Sequence, residues 1–160
     1  MPSTEALALK QTFDMLNCYA ESCEALSWPE PKLQAVRELR LRKLLIYAKA
    51  NSPWYRKILA RTNIEKFTEQ HLQDLPVLTK TLLMENWDSI VTDRRLSLAL
   101  VEKHIERLKE DGDTLYLLDK FHALATSGSS GKRAIFVYDW EEWNQFYLYN
   151  VRYTSRYPLI

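Results

Sequence analysis

The residues with the clearest capacity for chemistry lie at 125–134, in the stretch ATSGSSGKRA. Two of the three glycines in the chain fall here, at Gly128 and Gly131, although glycine averages about 7% of ordinary sequences. Glycines let successive backbone N–H groups turn toward one anion. The stretch also carries hydroxyl donors and a lysine, whose ammonium suits phosphate: Thr126, Ser127, Ser129, Ser130 and Lys132. These residue types favour a phosphate-binding loop.

Two familiar phosphate-binding motifs do not fit this stretch. A Walker A loop needs G-x-x-x-x-G-K-[ST] between a strand and a helix. Here Thr126 stands at the first glycine, and Arg133 stands at the magnesium-binding hydroxyl. A dinucleotide G-x-G-x-x-G fingerprint would lack its third glycine. Composition alone leaves a polar hairpin loop open as the alternative, with hydroxyls that cap their own backbone.

The segments that precede the loop have the spacing of helices. Helices are predicted over 4–26, from the SWPEP break at 27–31 to about Ala50, and over 51–59, 68–74, 79–87 and 96–110. Prolines cannot continue a helical hydrogen-bond ladder, which places the break at 27–31. Ser52 and Thr79 are expected to cap their helices, with Pro53 in the first helical position.

After residue 113 the pattern changes to short strands, predicted at 114–118, 121–126 and 134–138. Asp139 is then expected to cap a final helix in a capping box with Glu142. The inventory predicts an α/β protein, α+β over these residues, with a helical N-terminal half and a few short strands flanking the loop. Three strands alone would leave exposed sheet edges, so we expect further sequence to complete the sheet.

Composition excludes several function classes. The net charge is +1, so no overall field attracts nucleic acid or an anionic membrane, and the basic stretch at 37–43 has the pattern of a solvated helix face. No apolar run reaches the roughly 20 residues of a membrane span, and no signal peptide is evident. Cys18 and Cys23 are expected to be free thiols in a reducing compartment. These features predict a cytoplasmic protein without nucleic-acid or membrane partners.

No metal site is predicted. The three histidines, at positions 71, 104 and 122, lack the spacing of metal ligands. Asp139, Glu141 and Glu142 lie at a helix start, where carboxylates usually cap the helix and interact with its dipole.

Several segments carry a family resemblance. TSGSSGK at 126–132 resembles the Thr/Ser-Ser-Gly-Thr-Thr-Gly-Lys phosphate loop of the adenylate-forming enzymes, the acyl-CoA synthetase superfamily. NSPWYRKIL at 51–59 and LPVLTKTLLMENW at 75–87 resemble segments of its phenylacetate–CoA ligase branch, in the same order. YDWEEW at 138–143 is similar to the region after that family's loop. The resemblance spans roughly residues 35–155 through its ordered motifs.

The resemblance implies that residues 31–160 are the N-terminal portion of an AMP-binding adenylate-forming domain, an incomplete piece of that large domain. Residues 1–30 would be a helix of unknown role. The implied reaction is ATP-dependent adenylation of a carboxylic acid, expected to be aromatic, followed by thioester formation, with ATP, magnesium and coenzyme A as co-substrates. Thr126 to Lys132 would hold the β- and γ-phosphates. Tyr138 and Trp143 would line the acid pocket, with plain core packing as the alternative.

The sequence also departs from the family. Arg133 stands where the family usually has proline, and Ala134 stands where many members carry lysine. The family's adenine segment, magnesium-binding glutamate, ribose-binding aspartate and C-terminal lysine all follow the loop, with no counterpart before Ile160. We therefore assign no catalytic residue and expect no turnover from these residues alone.

Two kinds of partner remain open from the sequence. The first hypothesis, a ligase fragment, implies a C-terminal complement or a homodimer. The second is a non-catalytic helical interaction module that retained the loop and contacts a partner through residues 1–30.

Overall fold

The computed structural model describes residues 4–110, 115–127 and 133–156. These residues are mostly helical, with one small antiparallel sheet, so the α+β class is confirmed. The α-helices are α1 (Thr4–Glu24), α2 (Glu30–Asn51), α3 (Pro53–Ile58), α4 (Lys80–Glu85), α5 (Trp87–Ile90), α6 (Leu98–Glu110) and α7 (Trp140–Arg156). The strands are β1 (His122–Ala125) and β2 (Ile135–Tyr138). Short 3-10 helices span Ala25–Ser27, Ile64–Lys66 and Glu69–Asp74.

The described residues of one compact unit are 29–102, 126, 127 and 133–135. Its core is a cluster of four buried apolar side chains from α2 and the segments after it, Leu45, Leu59, Ile64 and Phe67. Arg42 donates from Nη1 to the Phe67 carbonyl oxygen at 3.2 Å. The helix α2 is thereby joined to the irregular segment that follows α3.

Ser52 connects two helices of this unit from a fully buried position. Its Oγ accepts a hydrogen bond from the Tyr55 backbone N–H at 3.2 Å, which caps α3 as predicted. The same hydroxyl donates to the Ser89 carbonyl oxygen at 3.0 Å, at α5. Pro53 follows in the first turn of α3, where no N–H is required.

The predicted helix over 79–87 is divided in two. Thr79 caps α4, as predicted, because its Oγ1 accepts from the Leu82 backbone N–H at 3.2 Å. The helix then ends at Asn86, whose backbone leaves the helical region before α5 begins. The predicted helix over 68–74 is a 3-10 helix, Glu69–Asp74.

The other compact unit falls within residues 1–28, 103–125 and 136–160. In this unit α1 packs along α7. Leu148 of α7 is buried at 2% exposure. Within the part of the chain that the structure describes, no helix combines the length and apolar character needed to cross a membrane.

The strand predicted over 114–118 is wrong for residues 115–118, and residue 114 lies outside the described residues. Leu117 and Phe121 form an isolated antiparallel bridge through two hydrogen bonds of 2.9 Å. The chain turns between them with Leu118 and Asp119 at φ values of 55° and 54°. These left-handed angles are incompatible with a strand, and the burial of Leu117 and Phe121 stabilises the turn. The sheet of the described residues therefore has two strands, β1 and β2.

We predict that Ser52→Ala lowers the free energy of unfolding by about 1–3 kcal/mol, because the α3 cap and a buried hydrogen bond are lost together. Urea unfolding followed by circular dichroism measures this change. Ser27→Ala is the control, because the Ser27 hydroxyl bonds the Glu24 carbonyl in an exposed setting. Equal losses for the two variants would contradict the role given to Ser52.

Candidate functional site

The loop that joins β1 to β2 is closed at its base by Thr126. The Thr126 backbone N–H donates to the Ala134 carbonyl oxygen at 2.9 Å. In return, the Ala134 N–H donates to Thr126 Oγ1, also at 2.9 Å. Ala134 is only 1% exposed, so both bonds are shielded from water on its side. Thr126 thus fixes the two ends of the loop through its backbone and its hydroxyl.

A second contact fixes the strand that leaves the loop. The Trp87 Nε1–H donates to the Ile135 carbonyl oxygen at 3.0 Å, across 48 residues of sequence. Both residues are 5% exposed. Trp87 begins α5 and lies in the segment 75–87 that carries part of the family resemblance. The sequence analysis did not predict this contact between Trp87 and Ile135, because no pattern within either segment indicates that the two residues meet.

The structure describes both ends of the predicted phosphate loop. Thr126 lies at its base, and the Ser127 side chain beside it is exposed. The Thr126 hydroxyl oxygen accepts from Ala134, and a hydroxyl that accepts in this way can still donate its own hydrogen. The predicted ligands Gly128, Ser129, Ser130, Gly131 and Lys132 lie outside the described residues.

The two departures from the family pattern differ in their setting. Arg133 is exposed at the end of the loop. Ala134 is buried, and its backbone forms both hydrogen bonds with Thr126. A lysine at position 134 would have to bury its side chain or displace this packing, which accounts for the alanine in this chain.

Tyr138 and Trp143, the predicted acid-pocket residues, lie together in an aromatic cluster. Their ring centroids are 5.9 Å apart, and both side chains are half-buried. Trp143 stacks on His122 with centroids 4.3 Å apart and ring planes 13° apart. The cluster comprises Tyr116, His122, Tyr138, Trp140, Trp143 and Phe146. The rings pack on one another without being fully buried, and both the pocket role and the core-packing alternative remain predictions.

His122 was not predicted to join this cluster. Burial lowers the pKa of His122 to about 4, so the imidazole is neutral at pH 7. Among the described residues, no group forms a hydrogen bond with its buried Nε2. Alternation along β1 is the only sequence signal for its position, since Phe121 and Ala123 are buried on the opposite face.

A cleft of about 160 Å³ lies between α1 and α7. It is lined by Gln11, Thr12, Met15, Trp143, Asn144 and Tyr147. Its volume is below the roughly 300–1,000 Å³ of ordinary ligand pockets. Tyr138 is not among its lining residues, so this cleft does not combine the two predicted pocket residues.

The carboxylates after β2 cap α7, as predicted. Asp139 Oδ1 accepts from the backbone N–H groups of Glu141 and Glu142 at 3.1 and 3.0 Å. Glu142 Oε2 accepts from the Asp139 N–H at 2.9 Å, which completes the capping box. Burial raises the pKa of Glu142, and the hydrogen bond from Asp139 opposes that shift. Across the described residues, no group of three or more His, Cys, Asp and Glu side chains is placed to hold a metal ion.

Comparison of this chain with family models, with curated proteins and with solved structures finds no match.

We predict that Thr126→Val lowers the free energy of unfolding by about 1–3 kcal/mol, because the buried Ala134 N–H loses its acceptor. Thr126→Ser is the matched control, since it retains the hydroxyl, and it should recover most of this loss. Urea unfolding measures stability, and amide hydrogen exchange at Ala134 reports the local bond. Unchanged exchange at Ala134 in Thr126→Val would contradict the loop closure described above.

We predict that His122 makes stability depend on pH. Its pKa is about 4 in the folded chain, against the ordinary 6.5, so between these values the unfolded chain binds a proton that the folded chain does not. The contribution of His122 to the free energy of unfolding is therefore greatest above pH 6.5, decreases as the pH falls toward 4, and does not change further below that.

The variant His122→Phe, which retains a ring for stacking, should have a shallower pH slope than the parent chain in urea unfolding over this range. The comparison is between the two profiles, because the lowered pKa of His104 and the raised pKa of Glu142 contribute slopes of opposite sign to both chains. Parallel pH profiles for parent and variant would rule out this role for His122.

Proposed function

We propose that residues 126–132 bind the β- and γ-phosphates of ATP, and that the chain is part of an AMP-forming carboxylic acid–CoA ligase of the phenylacetate type. One observation carries the first half of this proposal. Thr126 closes the base of a loop rich in glycine, serine and lysine through two hydrogen bonds with Ala134. The second half depends on the ordered resemblance of the segments at 51–59, 75–87 and 126–143.

A closed base suits a phosphate loop for an energetic reason. The entropy cost of binding a polyphosphate to a loop is smaller when both ends of the loop are already fixed. Thr126 fixes one end, and Ile135 is held to Trp87 just beyond the other. Backbone N–H groups presented in a preorganised loop stabilise phosphate charge without further rearrangement. The Thr126 and Ser127 hydroxyls would add donors at the start of the loop.

The remaining parts of the site follow from the resemblance. In an enzyme of this type, the carboxylate attacks the α-phosphorus of ATP and displaces pyrophosphate, which leaves an acyl-adenylate. The coenzyme A thiol then attacks the acyl carbon and displaces AMP, and magnesium would neutralise charge on the departing pyrophosphate. Under this proposal, Lys132 and the hydroxyls of Ser129 and Ser130 would neutralise and bind the departing phosphates. Tyr138 and Trp143 would contact an aromatic acid.

The proposal also includes a cytoplasmic location. Cys18 and Cys23 are both free thiols, which suits a reducing compartment. ATP and coenzyme A are available to an enzyme in that compartment.

Calorimetric titration with magnesium-ATP and with inorganic pyrophosphate tests the loop. We predict that Lys132→Ala weakens both interactions about tenfold or more, since a charge-assisted hydrogen bond contributes about 1.5–3 kcal/mol. The matched control is Lys57→Ala, which removes an exposed lysine at the end of α3 and should leave affinity unchanged.

Two outcomes would refute phosphate binding by the loop. One is the absence of binding to either ligand, which would favour the polar hairpin as the correct interpretation. The other is an equal loss in Lys132→Ala and Lys57→Ala, which would indicate only nonspecific attraction between a polyanion and surface lysines.

A further inference from the structure

One exposed face of α1 carries a row of apolar residues. Ala6, Leu9, Phe13 and Leu16 recur at spacings of three and four residues, which places them in one row along the helix. Leu9, Phe13 and Leu16 are 58%, 64% and 58% exposed. These four residues are termed the α1 stripe. Contiguous exposed apolar patches are typical of interaction sites.

The α1 stripe is not part of the cleft between α1 and α7. The side of α1 toward α7 presents Gln11, Thr12 and Met15 to the cleft described above. Leu7, Ala8 and Met15 of α1 are half-buried, whereas the large apolar side chains of the α1 stripe are exposed. Burial of the α1 stripe by another surface would be favourable at about 25 cal/mol for each Å² of apolar area.

A second row of the same kind lies on α2. Val36, Leu39, Lys43, Ile46 and Ala50 recur at spacings of three and four residues, and these five are termed the α2 stripe. Leu39 and Ile46 are 48% and 56% exposed, and Lys43 is exposed between them. A repeat of this spacing is the seam of a helix that packs along another helix.

The opposite side of α2 is already occupied. Leu45 and Ala48 are buried in the core of their own unit. The α2 stripe therefore lies on the side of α2 that does not pack into this core.

The two helices carry opposite charge. The helix α1 has four acidic residues, Glu5, Asp14, Glu21 and Glu24, and one basic residue, Lys10. The helix α2 has six basic residues, Lys32, Arg37, Arg40, Arg42, Lys43 and Lys49, and two acidic residues, Glu30 and Glu38. Repulsion therefore opposes α1 against α1 and α2 against α2, while attraction favours α1 against α2.

The spacings of the two stripes also match in an antiparallel arrangement. With Phe13 opposite Lys43, Leu9 falls opposite Ile46 within one residue. In the same register, Leu16 falls opposite Leu39 within one residue. The Lys43 stem can then cover the Phe13 ring, with its ammonium near Asp14.

We propose that a second copy of this chain covers the α1 stripe, with α1 of each copy packed antiparallel along α2 of the other. Under a two-fold axis, the contact of α1 with α2 of the partner is accompanied by the equivalent contact of α2 with α1 of the partner. Each contact would follow a helix about 30 Å long at 1.5 Å per residue. This dimer gives residues 1–30 a role, and it does not depend on the proposed ligase activity.

Sedimentation equilibrium of the full chain tests the proposal. We expect a dimer whose dissociation constant rises at least about tenfold in Phe13→Glu, in Ile46→Glu and in Lys43→Glu. Lys43→Glu replaces one exposed charged side chain by another, so its effect would not come from loss of the fold. Val77→Glu is the control, because Val77 is 81% exposed outside both stripes and should not alter the dimer. Circular dichroism verifies that each variant keeps its helices.

Disulfide trapping identifies which helices meet. In a background with Cys18→Ser and Cys23→Ser, chains with Phe13→Cys are mixed with chains with Lys43→Cys and oxidised with diamide. The expected product is a disulfide-linked pair of one chain of each kind. A parent chain that stays monomeric up to millimolar concentration would overturn the proposal. So would a monomeric, internally linked product from one chain that carries both substitutions.

Discussion

The reciprocal hydrogen bonding of Thr126 with Ala134 is the interaction on which the candidate site depends. The buried N–H of Ala134 would cost about 1–3 kcal/mol if left unpaired, and the Thr126 hydroxyl is the group that pairs with it. The adjoining bond from Trp87 to Ile135 extends this anchoring to α5. The two ends of the loop are therefore held by hydrogen bonds within the protein, which do not require a bound phosphate.

The two compact units support the two proposals through different features. In the unit that contains the ends of the loop, the buried hydroxyl of Ser52 accepts one hydrogen bond, from the Tyr55 N–H, and donates another, to the Ser89 carbonyl oxygen. The other unit stacks a neutral histidine against Trp143 and leaves the α1 stripe exposed. Nucleotide binding and self-association are thus proposed on different grounds, and either could hold if the other failed.

The sequence was most informative where structure is local. The caps at Ser52, Thr79 and Asp139 were all predicted, because a cap depends on residues three positions apart. The strand at 114–118 was predicted wrongly, since apolar residue types do not reveal that Leu118 adopts a left-handed conformation in a tight turn.

Contacts between distant segments were beyond the reach of sequence patterns. The Trp87 bond to β2 joins residues far apart in the chain, and no periodicity encodes it. The stacking of His122 on Trp143 is of the same kind. Composition did locate the loop, because glycine and hydroxyl residues concentrate there, but composition could not show how its base is closed.

The most direct test of the central claim is a titration of the isotope-labelled chain with inorganic pyrophosphate, followed by the backbone amide signals in two-dimensional NMR. The account predicts saturable shifts for the amides from Ser127 to Arg133, because these N–H groups would donate to phosphate oxygens. Amides of the capping residues at the start of α7 should not move. Shifts confined to other surfaces, or no saturable shift in the loop, would contradict the assignment of these residues as a phosphate site.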